Sequence, residues 1–261
     1  MKNLNHIEFE VKARVAVISL NRPDAANGIN LDLSTELAAI AKECDENTNI
    51  KCVVLTGNGR FFSAGGDIKE MASHGAKIGP AIKTIADNLH MAISTFSRMR
   101  APLIVAVNGV AAGGGFSLAI TGDIVLASDK AAFIMAYTKA GLSPDGSSSY
   151  YLPRLIGLRR AQELAFLNRQ LTAQEAVEWG LAHEVVKADQ LQARAITIAE
   201  TFANGSAGAN AAIKKLFLCS FDNSIETQME LEGRAISEQA GSPNGQEGIK
   251  AFLEKRKPRF S

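Results

Sequence analysis

Residues 103–115 read LIVAVNGVAAGGG. The first part is a short apolar run of the kind found in strands that are buried on both faces. The glycines that follow carry no side chain, so the chain can turn tightly and its backbone can approach a ligand. Residues 52–67, CVVLTGNGRFFSAGGD, have the same order of apolar run and glycines. Two units of strand, glycine loop and helix predict an α/β fold.

The flanking sequence extends this pattern. Apolar and polar residues alternate at 7–11 and 15–20, which predicts two half-buried strands that end at the turn 21–24 (NRPD). From about Arg159 the periodicity becomes helical, and its apolar residues exceed what a small subdomain needs, so we expect subunit contact there. The predicted elements of this part are one strand at 184–186 and helices at 160–167, 172–179, 189–203, 209–218 and 224–238.

Composition and charge disfavour several classes of protein. The 261 residues carry 28 Lys and Arg against 27 Asp and Glu, so no overall positive field would attract nucleic acid or an anionic membrane. The first residues lack the apolar core of a signal peptide and no later run is long enough to span a membrane, so we expect a cytoplasmic protein. Cys44, Cys52 and Cys219 are widely spaced among apolar neighbours, as buried reduced thiols are.

Each glycine loop on its own has two interpretations. The glycines could simply let a strand turn into a helix, or the loops could lie side by side and present backbone amides as an oxyanion hole. A dinucleotide site is disfavoured because Gly113-Gly114-Gly115 lacks the third glycine of the G-x-G-x-x-G spacing. A phosphate-binding P-loop is disfavoured because no Gly-Lys-Ser or Gly-Lys-Thr follows the glycines.

Several motifs together resemble the enoyl-CoA hydratase/isomerase, or crotonase, superfamily over nearly the whole chain. They occur in the order expected for that superfamily: 21–23 (NRP), 62–67 (FSAGGD), 108–115 (NGVAAGGG), 122–124 (GDI), 152–157 (LPRLIG), 171–176 (LTAQEA), 179–181 (WGL) and 251–258 (AFLEKRKP).

The resemblance implies a crotonase-like α/β fold, a spiral of β-β-α units. Residues 1–200 would form the acyl-CoA-binding core, and 201–261 a C-terminal helical region for oligomerisation that also completes the CoA site. The implied assembly is a homotrimer, or a hexamer built as a dimer of trimers. The implied partner is an acyl-CoA substrate; coenzyme A belongs to that thioester, and neither a separate cofactor nor a metal is expected.

The resemblance also assigns roles to particular residues. The N–H groups of Gly66 and Gly114 would form the oxyanion hole. Phe252 and Lys255 match positions that reach the CoA nucleotide, often from a neighbouring subunit. Tyr137 would form part of the substrate pocket wall, or alternatively supply a functional hydroxyl. The positions that hold the adenine and pantetheine of CoA are Asp24, Ala25, Ala26, Ala64, Asp67 and Ile68.

The carboxylates near the glycine loops would select the reaction. Hydratases of the family carry glutamates at the positions of Ser117 and Tyr137, and both are absent here. Asp145, which also fits a β-turn in GLSPDG, matches the acid/base aspartate of a subgroup that resembles 1,2-epoxyphenylacetyl-CoA isomerase. One carboxylate suits isomerisation, so the resemblance predicts an enoyl-CoA isomerase with Asp145 as proton shuttle.

Alternatives remain at this point. A hydratase or hydrolase of the same fold could use Asp145 with water. The 4-chlorobenzoyl-CoA dehalogenases resemble the chain around Asp145 and have a histidine at the position of His90, but tryptophan at that of Tyr137. A histidine within a helix is more often packed or exposed than catalytic. A catalytically weak acyl-CoA-binding or RNA-binding member would have a basic surface or a disrupted glycine loop, and the sequence has neither.

Overall fold

The computed structural model describes residues 4–261 of the chain. The strands are β1 (Ile7–Lys12), β2 (Val15–Leu20), β3 (Cys52–Gly57), β4 (Phe61–Ser63), β5 (Leu103–Val107), β6 (Val110–Ala112), β7 (Ile124–Ser128), β8 (Ala132–Ile134), β9 (Leu171–Thr172) and β10 (Glu184–Val186). The α-helices are α1 (Leu31–Glu46), α2 (Ile68–Ser73), α3 (Ile78–Arg98), α4 (Gly114–Ala119), α5 (Ser148–Ile156), α6 (Leu158–Leu167), α7 (Ala173–Glu178), α8 (Leu191–Ala203), α9 (Ala207–Cys219), α10 (Ile225–Gly241) and α11 (Pro243–Leu253).

The larger sheet has six strands in the order β1-β2-β3-β5-β7-β10. The strands β1 and β2 form an antiparallel hairpin across Ala13 and Arg14, whose φ angles of 47° and 70° are left-handed. From β2 onward all neighbours are parallel. Residues 21–24 do not join the hairpin strands; they follow β2 and lead into a short 3₁₀ turn at Pro23–Ala25.

Side chains of β3 and β5 alternate between two cores. Val53, Leu55 and Val105 point into the larger core, which also contains α1 and α3 residues. Val54 and Ile104 point to the other face, where α8 covers the sheet. Alternation with a period of two residues follows from strand geometry, and burial of both faces explains the uninterrupted apolar runs of the sequence.

A second sheet has the order β4-β6-β8-β9. Each of its first three strands follows directly on a strand of the larger sheet: β4 after β3, β6 after β5, and β8 after β7. Helices then follow, so the chain repeats a β-β-α unit. In this second sheet β4 pairs with β6 and β6 with β8, all in parallel, so the segments that leave these strands emerge at one edge.

The C-terminal part is helical, as the periodicity predicts, and it includes α11, which the sequence reasoning did not separate as a helix. Lys214 of α9 is buried and donates to the carbonyls of Phe96 and Ala101 at 2.8 and 3.1 Å, which anchors α9 to the core. Large apolar side chains of α9–α11 stay exposed, among them Phe217 and Ile236 at 72% each. The division at residue 200 and the trimeric or hexameric assembly stay predictions. Over residues 4–261, no helix has the length and apolar character that crossing a membrane requires.

Candidate active site

The two glycine loops leave neighbouring strands. The 64–66 loop follows β4, Gly113 follows β6, and β4 and β6 are parallel neighbours. A Cβ added to Gly65, whose φ is +89°, would lie 2.7 Å from the Ala112 carbonyl oxygen and 3.1 Å from the Gly114 nitrogen. The loops therefore touch through their backbones, and the contact needs glycine at position 65 for both space and conformation.

The Gly66 amide is directed by a single parallel bridge between Ile29 and Gly66. In this bridge the Ile29 amide donates to the Gly65 carbonyl at 2.7 Å, and the Asp67 amide donates to the Ile29 carbonyl at 3.0 Å. In a parallel bridge the residue between those two partners directs its own N–H to the opposite side. The N–H of Gly66 is therefore turned away from Ile29.

The Gly114 amide is the first of α4, and the first amides of a helix have no partner within the helix. Within residues 4–261, neither the Gly66 nor the Gly114 N–H donates to another residue. Gly114 is buried and Gly66 half-buried. Two unpaired amides on touching loops form the arrangement that an oxyanion hole requires.

Asp67 begins α2 directly after the first glycine loop. Its carboxylate accepts from the Glu70 amide at 3.2 Å, so Asp67 is the N-cap of α2. Glu70, three residues on, has the spacing of a capping box with Asp67, but its carboxylate instead accepts from the Leu31 amide at 3.1 Å and ties α2 to α1. Burial tends to raise the pKa of Asp67, but hydrogen bonds from the Glu70 amide and from Arg22 outweigh it and lower that pKa. A carboxylate so held is a weak base.

Most of the residues assigned to CoA by resemblance lie along this first loop. Asp24 and Ala25 are exposed on the 3₁₀ turn, and Ala26 ends that turn in a left-handed conformation. The Ala64 amide donates to the Ala26 carbonyl at 2.9 Å, which holds the turn against the loop. Ile68, in the first turn of α2, is 57% exposed. The structure thus brings these residues together on one accessible face.

Phe252 and Lys255 lie at the other end of the chain, where α11 ends. The Phe252 side chain is 83% exposed, and Lys255 has a φ of 53°. In the described part of the chain no hydrogen bond joins either residue to the 24–26 turn. Their contact with the CoA nucleotide stays a prediction, in which they would reach the nucleotide from a neighbouring subunit.

Asp145 lies in the loop before α5. Its Oδ1 contacts Nε2 of His90 on α3, and it also accepts from the Gly146 amide at 2.6 Å. We assign the proton of His90 to Nε2, because the carboxylate oxygen can only accept. No residue in 4–261 donates a hydrogen bond to Oδ2. One oxygen of Asp145 is thus held by the protein, and the other can meet a substrate.

The main-chain carbonyl of Asp145 is surrounded by hydroxyl groups. It accepts from Ser117 Oγ at 2.7 Å, from Ser148 Oγ at 2.9 Å and from Tyr137 Oη at 3.1 Å. Ser117 Oγ and Tyr137 Oη are also 2.8 Å apart. Burial raises the pKa of the Tyr137 hydroxyl, so this group stays protonated and able to donate.

These contacts place Asp145 close to the second glycine loop. Ser117 is three residues after Gly114 on α4, about one helical turn away. A Cβ added to Gly146 would lie 2.8 Å from Ser117 Cβ, so the Asp145 loop packs directly on α4. The Cβ positions of Gly114 and Gly146 both lie 3.5 Å from Leu89 Cδ2. The carboxylate-bearing loop and the Gly114 amide therefore share one small region.

His90 is the site residue that sequence reasoning undervalued. Its neighbours Leu89 and Ile93 are buried and face the core, so α3 sets His90 beside them, half-exposed, against Asp145. The local sequence of α3 gives no sign of this contact, because His90 and Asp145 are 55 residues apart. In the sequence, only the resemblance to the 4-chlorobenzoyl-CoA dehalogenases indicated a role for His90.

A cavity of about 610 Å³ lies beside this pair, between α3, α5 and the link from α9 to α10. Its lining includes His90 and Ser147. Across the described residues, no three His, Cys, Asp or Glu side chains converge as metal ligands would.

Known proteins resemble the chain over its full length. A family model described as enoyl-CoA hydratase/isomerase matches residues 10–261. The 1,2-epoxyphenylacetyl-CoA isomerase of Escherichia coli K12 is 36% identical, over 99% of this chain and 97% of the relative. The 4-chlorobenzoyl coenzyme A dehalogenase-2 of an Arthrobacter species is 31% identical, over 96% and 91%. A crystal structure of an enoyl-CoA hydratase from Polaromonas sp. JS666 superposes with a TM-score of 0.93 at 30% identity, over 98% of this chain and 99% of that chain.

Proposed function

The chain belongs to the enoyl-CoA hydratase/isomerase family, and we propose that it is an enoyl-CoA isomerase that uses Asp145 as its proton shuttle. The crotonase-like fold that the sequence predicts is confirmed. Relatives of the chain include both a probable enoyl-CoA hydratase and an isomerase, so membership of the family alone does not identify the reaction.

The reaction first requires that the α-proton of the thioester become more acidic. The α-proton of a thioester is too weakly acidic for a carboxylate alone, so the negative charge of the enolate oxygen must be stabilised. The unpaired amides of Gly66 and Gly114 are suited to bind that oxygen. Donors fixed in a site that excludes water contribute about 3–4 kcal/mol each to the transition state.

The observation that supports isomerisation most strongly is the free Oδ2 of Asp145. This oxygen takes a proton from C2 of a 3-enoyl thioester, the dienolate forms on the oxyanion hole, and the same oxygen returns the proton to C4. Proton count and charge balance without water or any other reactant. Oδ1 meanwhile stays bound to His90 and to the Gly146 amide, which fixes the direction of Oδ2.

Hydration of a 2-enoyl thioester is less well supported. It is best served by two carboxylates, one that activates water and one that handles the α-proton. The positions that carry them in hydratases are Ser117 and Tyr137 here, and both hydroxyls bind the carbonyl of Asp145. Neither can act as a general base near neutral pH, since serine and tyrosine hydroxyls stay protonated there.

The CoA part of the substrate completes the proposal. Its adenine and pantetheine would lie along Asp24, Ala25, Ala26, Ala64, Asp67 and Ile68. The exposed face that these residues share offers backbone groups and room for an extended ligand. Isomerisation moves a proton within one molecule without net oxidation, so the proposed reaction needs no redox cofactor. We further propose that a trimer or hexamer completes the nucleotide site with Phe252 and Lys255.

Asp145→Asn tests the shuttle. The amide keeps the size of the side chain but cannot take a proton, so we expect turnover of a 3-enoyl-CoA to fall by about 10²–10⁴-fold. Asp87→Asn is the matched control, because Asp87 is an exposed carboxylate of α3 that pairs with Lys83. Wild-type protein should isomerise 3-enoyl-CoA faster than it hydrates crotonyl-CoA. Full activity of Asp145→Asn, or hydration of crotonyl-CoA alone, would refute the isomerase proposal.

The contact between His90 and Asp145 favours one second candidate, a hydrolytic dehalogenase. In that reaction Asp145 attacks the chlorine-bearing carbon of 4-chlorobenzoyl-CoA, chloride leaves, and an ester forms with the aspartate. Water, deprotonated by Nδ1 of His90, the nitrogen that carries no proton in the tautomer assigned above, then cleaves the ester. An Asp–His pair of this kind fits nucleophilic catalysis.

Two measurements distinguish this candidate. Chloride release from 4-chlorobenzoyl-CoA, with ¹⁸O from labelled water appearing in Asp145 after a single turnover, would establish it. His90→Gln should then abolish ester hydrolysis, whereas in the isomerase it should slow turnover only through the position of Asp145. Absence of chloride release together with 3-enoyl-CoA isomerisation would exclude it.

A further inference from the structure

We propose that the hydroxyls of Ser117, Tyr137 and Ser148 are positioning residues, which hold the Asp145 peptide so that its carboxylate is aimed at the substrate. This inference rests on the proposed function, because it needs Asp145 to act as the proton shuttle. It assigns Tyr137 a role that is distinct from forming the pocket wall.

The three hydroxyls come from three separate elements. Ser117 belongs to α4, Tyr137 to a 3₁₀ turn after β8, and Ser148 to the start of α5. All three converge on one carbonyl oxygen within 3.1 Å, and the Ser148 amide approaches it at 3.3 Å. A carbonyl has only two lone pairs, and Ser117 and Tyr137 also share a hydrogen bond at 2.8 Å, so the donors within reach of this oxygen exceed the number that its hydrogen bonding requires.

The same peptide unit carries the group that orients the carboxylate. The Asp145 carbonyl and the Gly146 N–H belong to one peptide bond, and a peptide bond is planar. That N–H donates to Asp145 Oδ1 at 2.6 Å. Because the hydroxyls fix the carbonyl end of the plane, they also fix the N–H end, and with it the direction in which Oδ2 points.

The backbone at this point needs such support. Gly146 and Ser147 follow one another with φ angles of 62° and 66°, both left-handed. A non-glycine residue in that region is unfavourable and persists only where its surroundings hold it. A Cβ added to Gly146 would lie 2.8 Å from Ser117 Cβ, so the turn packs closely against α4 and needs glycine at position 146. Without the hydroxyl contacts the peptide plane would be free to rotate, and the Asp145 carboxylate would no longer be held in the direction of the substrate.

Tyr137→Phe is the leading test, with Ser117→Ala as a second variant. We expect kcat for 3-enoyl-CoA isomerisation to fall by about ten- to a hundredfold, as for a catalytic group displaced by about 1 Å. KM should stay within about twofold, since each substitution removes only a hydroxyl and leaves the rest of the pocket wall in place. Thr56→Val is the matched control, because it removes a buried hydroxyl that donates to a distant carbonyl, that of Ala106, at 2.8 Å. The thermal midpoint should shift by a similar amount in all three variants.

A double-mutant comparison separates this inference from the proposed function. If Tyr137 acts through Asp145, Tyr137→Phe should have no further effect on kcat in the Asp145→Asn background. A tenfold loss that persists in that background, or a kcat in both single variants no lower than in Thr56→Val, overturns the positioning role. If Asp145→Asn itself keeps full activity, the shuttle fails instead.

Discussion

Replacing Gly114 by proline removes the amide hydrogen that we assign to the oxyanion hole. Gly114 is the first residue of α4, a position where proline is tolerated because its missing N–H would have had no partner in the helix. Gly113 before it has no side chain, and its φ of 51° and ψ of −124° keep its nitrogen clear of a following proline ring. The fold should therefore survive the change.

Gly114→Ala is the matched control because it keeps the N–H and adds only a Cβ. That Cβ would lie 3.3 Å from Ile29 Cδ1 and 3.5 Å from Leu89 Cδ2, which are ends of flexible side chains that can shift slightly. We expect the free energy of unfolding of both variants to stay within about 1 kcal/mol of wild type, since the conformational gain over glycine offsets the tight contact.

Loss of one oxyanion donor in a buried site costs about 10²–10³ in rate, or about 3–4 kcal/mol. The assay is exchange of the C2 proton of a saturated acyl-CoA in deuterated water, followed by mass spectrometry, because exchange needs the enolate whichever reaction the enzyme completes. Gly114→Pro should exchange at least about a hundredfold more slowly than Gly114→Ala. If the two variants fold alike and exchange at similar rates, the Gly114 amide does not bind the enolate oxygen.

Two further predictions concern stability. Gly115→Ala should lower the free energy of unfolding by about 3 kcal/mol, because its Cβ would lie 2.4 Å from the backbone oxygen of Ser63. Gly79→Ala is the control and should not lower it, because its Cβ would have no atom within 4 Å. Urea unfolding of the two variants checks this, and equal midpoints would contradict it. Burial raises the pKa of the Cys44 and Cys52 thiols from 9.0 to about 12, so the unfolded chain releases these protons first. The stability that they contribute is full below pH 9 and is lost as pH rises towards 12, by up to about 1.4 kcal/mol per thiol and pH unit. Urea midpoints at pH 8 and 10.5 should therefore fall less in a variant with alanine at both positions, and equal falls would refute the assignment.

The features that could be predicted from sequence are those encoded locally. The buried runs at 52–55 and 103–107 became β3 and β5, and the glycine loops after them lie together as the oxyanion interpretation requires. The short strands β4, β6 and β8 could not be predicted as strands. Each has three residues, too few for a periodic signal, and they are strands because they pair with one another across the fold.

The unpredicted part of the site depends on contacts between distant segments. Glu70 has the spacing for a capping box with Asp67, but Leu31 offers an unpaired amide at the start of α1, and Glu70 binds that amide instead. His90 meets Asp145 because α3 passes the loop before α5. Neither contact could be predicted from the neighbouring sequence, because the tertiary structure brings the partner residue from a distant segment.

One arrangement is formed by the hydroxyls at positions 117 and 137 and the carboxylate at 145. The identities of these three residues therefore depend on one another. A glutamate at 117 would replace a donor by an acceptor next to the Asp145 carbonyl, in a spot so close that a Cβ added to Gly146 would lie 2.8 Å from Ser117 Cβ. A glutamate at 137 would remove a second donor from the same oxygen. An Asp145 loop held by hydroxyls and a pair of glutamates that activates water therefore compete for the same space. Under the proposed function, this competition accounts for the absence of both glutamates from a chain with Asp145, and residues 117, 137 and 145 then form a single choice between two reactions.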